Sequence, residues 1–322
     1  MKKTFLALLA VCAGLTAIPA RAQVSVKMTK QEIEFYTSDW TGPRFPDGRP
    51  KLPDSLLERA KDVTIEDVWG FLRRHGYANQ YEGNWQALNM DRPIVGRALT
   101  AQYMPTRPDM TKAIMAEGKK EGFVAPGNNS WPIQILQQGD VYVADGYGKV
   151  VDGTLIGSNL GNGIAGHTSA GFIFYGGIRD QAELREIPNF NGMYKGYDPS
   201  AWAQEGLTQI DGPVRIGRAV VLPGDLVVAK PKQGVIFIPA TLAEDAISTA
   251  EFTSLTDDYN FERNREGQNG GLFEGGWNEA KYNDFAKWIA QHPEKLKMSK
   301  EEFNKLLQEA IAHSKKNGDG GM

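Results

Sequence analysis

Residues 139–180 read GDVYVADGYGKVVDGTLIGSNLGNGIAGHTSAGFIFYGGIRD, and this stretch indicates the architecture of the whole chain. It contains two apolar runs, VYVA at 141–144 and FIFY at 172–175. The near-continuous apolar character of the first run predicts a strand that is buried on both faces. The second run leads through Gly-Gly-Ile to the charged pair Arg179-Asp180. A strand that ends in a turn and a charged pair is typical of α/β proteins, which present their chemistry at the carboxyl ends of strands.

Short strands and helices alternate on both sides of this stretch. We predict helices from an apolar period of about 3.6 residues and strands from short apolar runs bounded by Gly or Pro. The predicted strands are 94–104, 141–144, 172–175, 214–222, 226–229 and 235–238. The predicted helices are 53–61, 64–75, 110–121, 180–185 and 239–250, with further helices after 251. This alternation favours an α/β fold over an all-β sandwich.

The first 22 residues have the features of a cleaved signal peptide. Lys2 and Lys3 form a basic start, an apolar run follows, and ARA at 20–22 resembles a cleavage site. We therefore predict export to the periplasm or secretion. We expect no stable membrane anchor, because the apolar run is short for a bilayer span. Lipidation at Cys12 is the alternative, although Val11 is bulky for that signal.

Composition excludes several classes of function for the mature chain. The net charge of the full chain is −3, and removal of Lys2, Lys3 and Arg21 changes it to −6. An acidic chain without a basic run is a poor nucleic-acid binder, so we expect no nucleic-acid partner. The single cysteine lies within the first 22 residues. Its removal excludes disulfides, a thiolate nucleophile and cysteine-ligated zinc.

We divide the mature chain into three parts. Residues 23–53 are polar and rich in Pro and Gly, which predicts an extended N-terminal arm. Residues 54–250 contain the alternating strands and helices and form the α/β domain. Residues 251–322 have aromatic helical faces and predict a C-terminal helical extension that packs on the core or on a partner subunit.

Four segments, in this order, resemble the aldolase/RraA-like family. They are GDVYVADGYG at 139–148, GTLIGSNL at 153–160, GGIRD at 176–180 and VRIGRAVVLPGDLVVAKPKQGVIFIP at 214–239. The similarity covers about residues 56–250. Family members include class II aldolases that cleave 4-hydroxy-4-methyl-2-oxoglutarate and related 2-oxo acids to pyruvate.

The resemblance implies a swivelling β/β/α fold and a small 2-oxo acid as substrate. It also implies a homotrimer or hexamer with active sites between subunits. The family contains a regulator that binds a cytoplasmic ribonuclease as well, a role that does not fit an exported protein.

The resemblance implies a site for a metal ion and an enolate at the end of the second strand. Asp180 would bind Mg²⁺ or Mn²⁺, mostly through waters, and Arg179 would bind the oxygens of the substrate. Both residues also have ordinary structural interpretations. Asp180 is followed by Glu183, which matches a helix N-cap, and Arg179 is compatible with a structural ion pair.

The glycine-rich loop of Gly157, Ser158, Asn159 and Leu160 is the second half of the implied site. If these residues open a helix, their backbone N–H groups would bind the carboxylate of pyruvate. The alternative is a tight turn, because Gly161 and the glycines after it weaken a helix.

Two departures from the family pattern remove carboxylates. The family motif is an Asp in the glycine loop, twenty intervening residues and then Arg-Asp, but this chain has Ser158 at the first position. Tyr175 occupies a strand end where relatives often have another Asp. A serine hydroxyl near its usual pKa is a poor base, so Tyr175 or His167 would have to supply acid–base catalysis. We retain Ser158, Tyr175, His167 and Arg179 as candidate catalytic residues.

The sequence leaves three functions open. The one we favour is an exported, metal-dependent carbon–carbon lyase that acts on a small 2-oxo acid. The second is a non-catalytic or repurposed protein that binds a small carboxylate or sugar acid. The third is a lyase for carbohydrate-derived substrates.

Overall fold

The computed structural model describes residues 25–268 and 276–317. The predicted signal peptide, including Cys12, lies outside the described residues, as do most of the glycine-rich segments near 270 and 320. Among the helices of the described part, none combines the length and the apolar character needed to cross a membrane.

The described residues form α-helices and β-strands that alternate through most of the chain. The helices are α1 Lys30–Tyr36, α2 Asp54–Ala60, α3 Ile65–Arg74, α4 Pro108–Lys120, α5 Trp131–Ile135, α6 Ser158–His167, α7 Gln181–Arg185, α8 Ala243–Arg265, α9 Glu279–Gln291 and α10 Lys300–Asn317. The strands are β1 Tyr81–Glu82, β2 Gln86–Ala87, β3 Ile94–Pro105, β4 Asp140–Asp145, β5 Phe172–Ile178, β6 Gly192–Tyr197, β7 Glu205–Ile210, β8 Val214–Ile216, β9 Ala219–Val221, β10 Leu226–Lys230 and β11 Gly234–Ile238.

One mixed sheet organises the fold, with the strand order β1–β11–β10–β3–β4–β5–β6–β2. The four central strands, β3 to β6, are parallel. The long strand β3 has two antiparallel neighbours along one edge, β10 on its first half and β7 on its second half. The carboxyl ends of β4 and β5 therefore lie side by side, and the residues that follow them meet at one edge of the sheet.

Both faces of the sheet are covered, as predicted for 141–144. Successive side chains of a strand point to opposite faces. One face contributes Leu99, Tyr142, Phe172 and Phe174 to a cluster that also contains Trp131 of α5 and Ile164 of α6. The other face contributes Ala98, Val141, Val143 and Ile173 to a cluster with β8 and β9.

The segment 214–222 is a hairpin, so the prediction of one continuous strand is wrong. β8 and β9 pair antiparallel with each other, Val214 opposite Val221. Gly217 between them has φ 61°, a left-handed conformation that glycine adopts without steric cost. The chain reverses there. Strands β6 and β7 were not predicted.

The N-terminal arm is not extended throughout, because α1 lies within it. The side chain of Thr29 accepts a hydrogen bond from the N–H of Glu32, and the Glu32 side chain accepts one from the N–H of Thr29. This reciprocal capping box starts a helix despite the Pro and Gly content of the flanking residues. The arm also extends the sheet. The N–H of Met28 donates to the carbonyl of Ile210 at 2.9 Å, and the N–H of Ile210 donates to the carbonyl of Val26 at 2.8 Å.

The predicted boundary at residue 250 falls inside helix α8, which continues for 23 residues from Ala243 to Arg265. The aromatic faces predicted after 251 form an apolar core of their own, which contains Phe252, Leu255, Tyr259, Phe285, Trp288 and Phe303. Arg59 of α2 connects this region to the sheet domain. Its guanidinium lies 2.8 Å from Glu251 and 3.5 Å from Glu302 of α10.

Arg49, near the end of the arm, is a fully buried charge. Its Nη1 lies 3.1 Å from Asp140 Oδ2, and its Nε lies 3.0 Å from Asp47 Oδ2 and 3.9 Å from Asp211 Oδ2. Burial raises the pKa of Asp211 to about 6, against the opposing charge of Arg49. Because Asp140 begins β4, this ion cluster fixes the arm to the amino-terminal end of the central strands.

Replacement of Arg49 by Leu would remove the positive charge between Asp140 and Asp211 and leave these two carboxylates buried without it. We expect the free energy of unfolding, measured by urea denaturation, to fall by about 3–5 kcal/mol. Arg107→Leu is the control, because the Arg107–Asp109 pair is exposed, with 73% and 66% of the two side chains accessible. A fully exposed pair should contribute little to stability, so this variant should unfold much like the wild type. Equal losses in the two variants would contradict this assignment.

Candidate active site

The candidate site lies where β4 and β5 end. The two strands are parallel neighbours, with Asp145 opposite Tyr175. The segment 146–157 then crosses the end of β5. There the N–H of Leu155 donates to the carbonyl of Gly177, and the N–H of Arg179 donates to the carbonyl of Ile156, both at 3.0 Å. The segment therefore brings the start of α6 next to Arg179 and Asp180.

The glycine-rich loop does open a helix. Gly157 is the extended residue before α6, which runs from Ser158 to His167. The first N–H groups of a helix have no intrahelical acceptor and carry partial positive charge. Gly161 lies inside this helix, and its missing side chain lets α7 pack closely against it. A Cβ at position 161 would lie 2.1 Å from Leu184 Cδ2.

Asp180 binds the start of this helix instead of capping its own. Its Oδ2 accepts a hydrogen bond from the N–H of Ser158 at 3.0 Å and lies 3.4 Å from the Ser158 hydroxyl. It makes no side-chain capping bond to α7. Asp180 is therefore the N-cap residue of α7 by position, as the sequence suggested, but its side chain bonds to the start of α6. Asp180 has φ 55° and ψ 41°, and a non-glycine residue in this region is often under a functional constraint.

Arg179 and Gly157 complete the group around the Asp180 carboxylate. Arg179 Nε lies 3.9 Å from Asp180 Oδ2, and 43% and 35% of these two side chains are exposed. A Cβ at position 157 would lie 2.3 Å from Asp180 Oδ2 and 2.9 Å from Arg179 Nε. Any residue other than glycine would displace both charged groups. The guanidinium, the carboxylate and the helix amides thus share one solvent-accessible corner.

Tyr175 belongs to a different environment. Its ring packs edge-on against Trp85, with the ring centres 6.1 Å apart, and Lys195 Nζ lies 5.0 Å from the centre of its ring. These contacts place it beside the apolar cluster on the hairpin face of the sheet. The structure gives the ring a packing role there.

His167 is separated from the other candidates. It is the last residue of α6, and its side chain is exposed. Nine residue steps of about 1.5 Å place it about 13 Å along the helix from Ser158. Within one chain it therefore lies away from Asp180, at the opposite end of the helix.

The oxygen donors suit a hydrated hard cation better than a dedicated protein cage. No group of three or more His, Cys, Asp or Glu residues with metal-binding geometry occurs within 25–268 and 276–317. Mg²⁺ keeps several waters and needs only one or two protein carboxylates. Asp180, which is partly exposed and has the Ser158 hydroxyl beside it, fits that requirement.

Glu205 is a buried acid at the same edge of the sheet, to which the sequence analysis assigned no role. It begins β7, is 1% exposed, and has a carboxylate oxygen 3.3 Å from the position of a Cβ on Gly146. Burial raises the pKa of Glu205 to about 8, with Lys149 opposing and Asp145 adding to the shift. Its context, AQEGL at 203–207, contains no motif that would have identified it.

Comparison with known proteins identifies the RraA-like family as well. A family model described as RraA-like, Aldolase/RraA, matches residues 63–237, more than half of the chain. A 4-hydroxy-4-methyl-2-oxoglutarate aldolase from Thermus thermophilus is 32% identical over 101 residues, 31% of this chain. The chain spans only 60% of the length of that relative.

Two solved structures share the fold. RraAS2 of Streptomyces coelicolor, an unusual member of the RNase ES inhibitor RraA protein family, has a TM-score of 0.55 at 24% identity, over 67% of this chain and 98% of its own. An uncharacterized protein from Pseudomonas syringae pv. tomato has a TM-score of 0.56 at 18% identity, over 71% and 95%. These likenesses confirm the predicted α/β architecture. The family match and the shared fold together establish that the chain belongs to the RraA-like aldolase family.

Proposed function

We propose that this protein is a divalent-metal-dependent carbon–carbon lyase that releases pyruvate from a small 2-oxo acid, by retro-aldol cleavage or decarboxylation. The observation that carries the proposal is the convergence of Arg179, Asp180 and the first amides of α6 around Gly157. Membership of the RraA-like aldolase family and the aldolase name of a relative support the same reaction class.

Mg²⁺ or Mn²⁺, when bound, would polarise the 2-oxo group and stabilise the enolate of pyruvate. Asp180 and the Ser158 hydroxyl are the residues that would hold the ion, with waters completing its shell. The planar guanidinium of Arg179 is suited to a carboxylate or enolate, because it donates two parallel hydrogen bonds. The N–H groups of Asn159 and Leu160 would bind the substrate carboxylate at the positive end of the helix.

Proton transfer is the part of the reaction that this corner supplies least. Retro-aldol cleavage removes a proton from the C4 hydroxyl, breaks the C3–C4 bond and returns a proton to C3. The Ser158 hydroxyl is a poor base, and Tyr175 and His167 have the separate positions described above. We propose that a water molecule next to Asp180 or a group from a partner subunit moves these protons.

An assembly with sites between subunits, a homotrimer or hexamer, agrees with the exposure of the corner. Arg179 and Asp180 are 43% and 35% accessible in the single chain. Exclusion of water strengthens electrostatic interactions with a charged substrate, so a neighbouring subunit would complete the wall. We further propose that the protein acts after export, on the basis of the N-terminal sequence pattern.

The replacement of the family Asp by Ser158 favours one alternative, a protein that binds a small carboxylate or sugar acid without cleaving it. The serine hydroxyl lies 3.4 Å from Asp180 Oδ2. A second carboxylate at this position would add negative charge beside the first and so attract a cation more strongly. The natural site has a single carboxylate and a correspondingly weaker hold on a metal.

The first test offers the purified protein oxaloacetate and 4-hydroxy-4-methyl-2-oxoglutarate, with Mn²⁺ or with EDTA, and measures pyruvate. We expect pyruvate release with Mn²⁺ and none with EDTA. Asp180→Asn keeps the size of the side chain but removes the charge that attracts the metal, so kcat/KM should fall by about 100-fold or more. Asp91→Asn, an exposed acid paired with Lys232, should retain full activity. The proposal fails if neither substrate yields metal-dependent pyruvate.

The second test restores the family carboxylate. Ser158→Asp should tighten Mn²⁺ binding, measured by calorimetry, by about 10- to 100-fold. Ser158→Asn has the same size without the charge and should not tighten it. If pyruvate appears only with Ser158→Asp, the natural protein is a binder; if Ser158→Asp and Ser158→Asn bind Mn²⁺ equally, position 158 does not contribute to a metal site.

A further inference from the structure

Glu205 is buried beneath the segment that leads to the candidate active site. It is 1% exposed, and in the described part of the chain neither carboxylate oxygen has a hydrogen-bond partner. Oε1 lies 3.3 Å from the position of a Cβ on Gly146, and Cδ lies 3.1 Å from that of a Cβ on Gly153. The carboxyl group therefore touches both ends of the turn 146–153.

The surroundings of Glu205 oppose a negative charge. Asp145 from the end of β4 adds a repelling negative charge. The hydroxyls of Tyr103, Tyr142 and Tyr147 also lie near it, and a negative charge on Glu205 would raise their pKa values further, which keeps them neutral. Lys149 is the cation that favours its ionised form, but its ammonium donates to Gln204 Oε1 at 3.2 Å. A buried carboxylate without hydrogen bonds is costly, so the neutral acid is the form that fits this environment.

The segment above Glu205 positions the groups of the candidate site. Thr154 bridges to Gly177, and the carbonyl of Ile156 accepts the N–H of Arg179 at 3.0 Å. Ser158, which binds Asp180, follows directly. A displacement of this segment would therefore break the bond between Ile156 and Arg179 and move the start of α6 relative to Arg179.

We propose that Glu205, in its neutral form, is a positioning residue that lets the segment 146–157 close over the sheet, and that loss of its proton to solvent opens the segment. Opening would admit water to the carboxylate and separate the helix amides from Arg179. The opening concerns the fold alone, whereas its effect on metal binding rests on the proposed function.

The direction of the pH dependence follows from the raised pKa of Glu205. The ordinary value is 4.5 and burial raises it to about 8. A group with a raised pKa contributes stability that is fully present below its unfolded-state value and is lost as the pH rises through the folded-state value. The closed segment should therefore lose stability progressively between about pH 4.5 and about pH 8, with no further loss above that.

Hydrogen–deuterium exchange of the peptide 146–157, corrected for intrinsic rates, tests the opening between about pH 6 and about pH 9.5. We expect protection in the wild type to fall as the pH rises from about 6 to about 8 and to level off above that, and to stay constant in Glu205→Gln, which mimics the neutral acid. Glu294→Gln, an exposed acid on the C-terminal extension, should behave as the wild type. Identical pH profiles for the wild type and Glu205→Gln would overturn the proposal, as would a segment that is open in Glu205→Gln at every pH.

A measurement on the wild type alone decides the question if Glu205→Gln does not fold. In protein with ¹³C-labelled glutamate, one carboxyl resonance should titrate near pH 8; titration of every glutamate in the ordinary acidic range would overturn the proposal. Mn²⁺ binding supplies the functional readout and should weaken as the pH rises from about 6 to about 8 in the wild type but not in Glu205→Gln. If no variant binds Mn²⁺ while the exchange profiles differ as expected, the proposed function fails and the positioning role stands.

Discussion

The contact between the Asp180 carboxylate and the N–H of Ser158 joins two parts of the chain that are 22 residues apart. It connects the end of β5 to the start of α6, and the partial positive charge of the helix start stabilises the carboxylate. Two local features accompany this contact. Asp180 has a left-handed backbone, and Gly157 lacks the side chain that would displace Asp180 and Arg179. The contact therefore brings the Asp180 carboxylate, the Arg179 guanidinium and the helix amides together at one edge of the sheet.

The corner could be predicted from the sequence through the family motif, which spaces the glycine loop and Arg179-Asp180, and through the two strands that precede these segments. The apolar runs before Asp145 and Arg179 predict adjacent buried strands, and their carboxyl ends must then meet. The partner of Asp180 was harder to predict. The neighbouring Glu183 suggested a cap for the following helix, whereas the actual donor lies on a helix that begins 22 residues earlier. Tyr175 was a candidate because relatives often have an Asp at that strand end, and His167 because it lies on the same connection. The direction of α6 and the face of β5 separate the two from the corner.

The buried charges were beyond prediction for a different reason. Pattern reading assigns Arg and Glu to the surface, since such residues are seldom buried without a partner. Arg49 is buried because three carboxylates surround it, and Glu205 is buried because a loop crosses over it. Both arrangements depend on contacts across more than fifty residues. The hairpin at Gly217 was missed on a smaller scale, because the apolar residues on both sides of Gly217-Arg218 were interpreted as one strand.

The continuity of α8 has a consequence for how the C-terminal region behaves. The composition change near residue 250 suggested the start of a separate extension, yet the helix that packs on α3 and β11 continues unbroken into the aromatic cluster. A rigid rod shared by two cores transmits rotation from one to the other and leaves no hinge between them. Protein shortened at residue 250 would end inside this helix and lose Phe252 and Leu255 of the second core. The sheet domain and its extension should therefore melt as one cooperative unit.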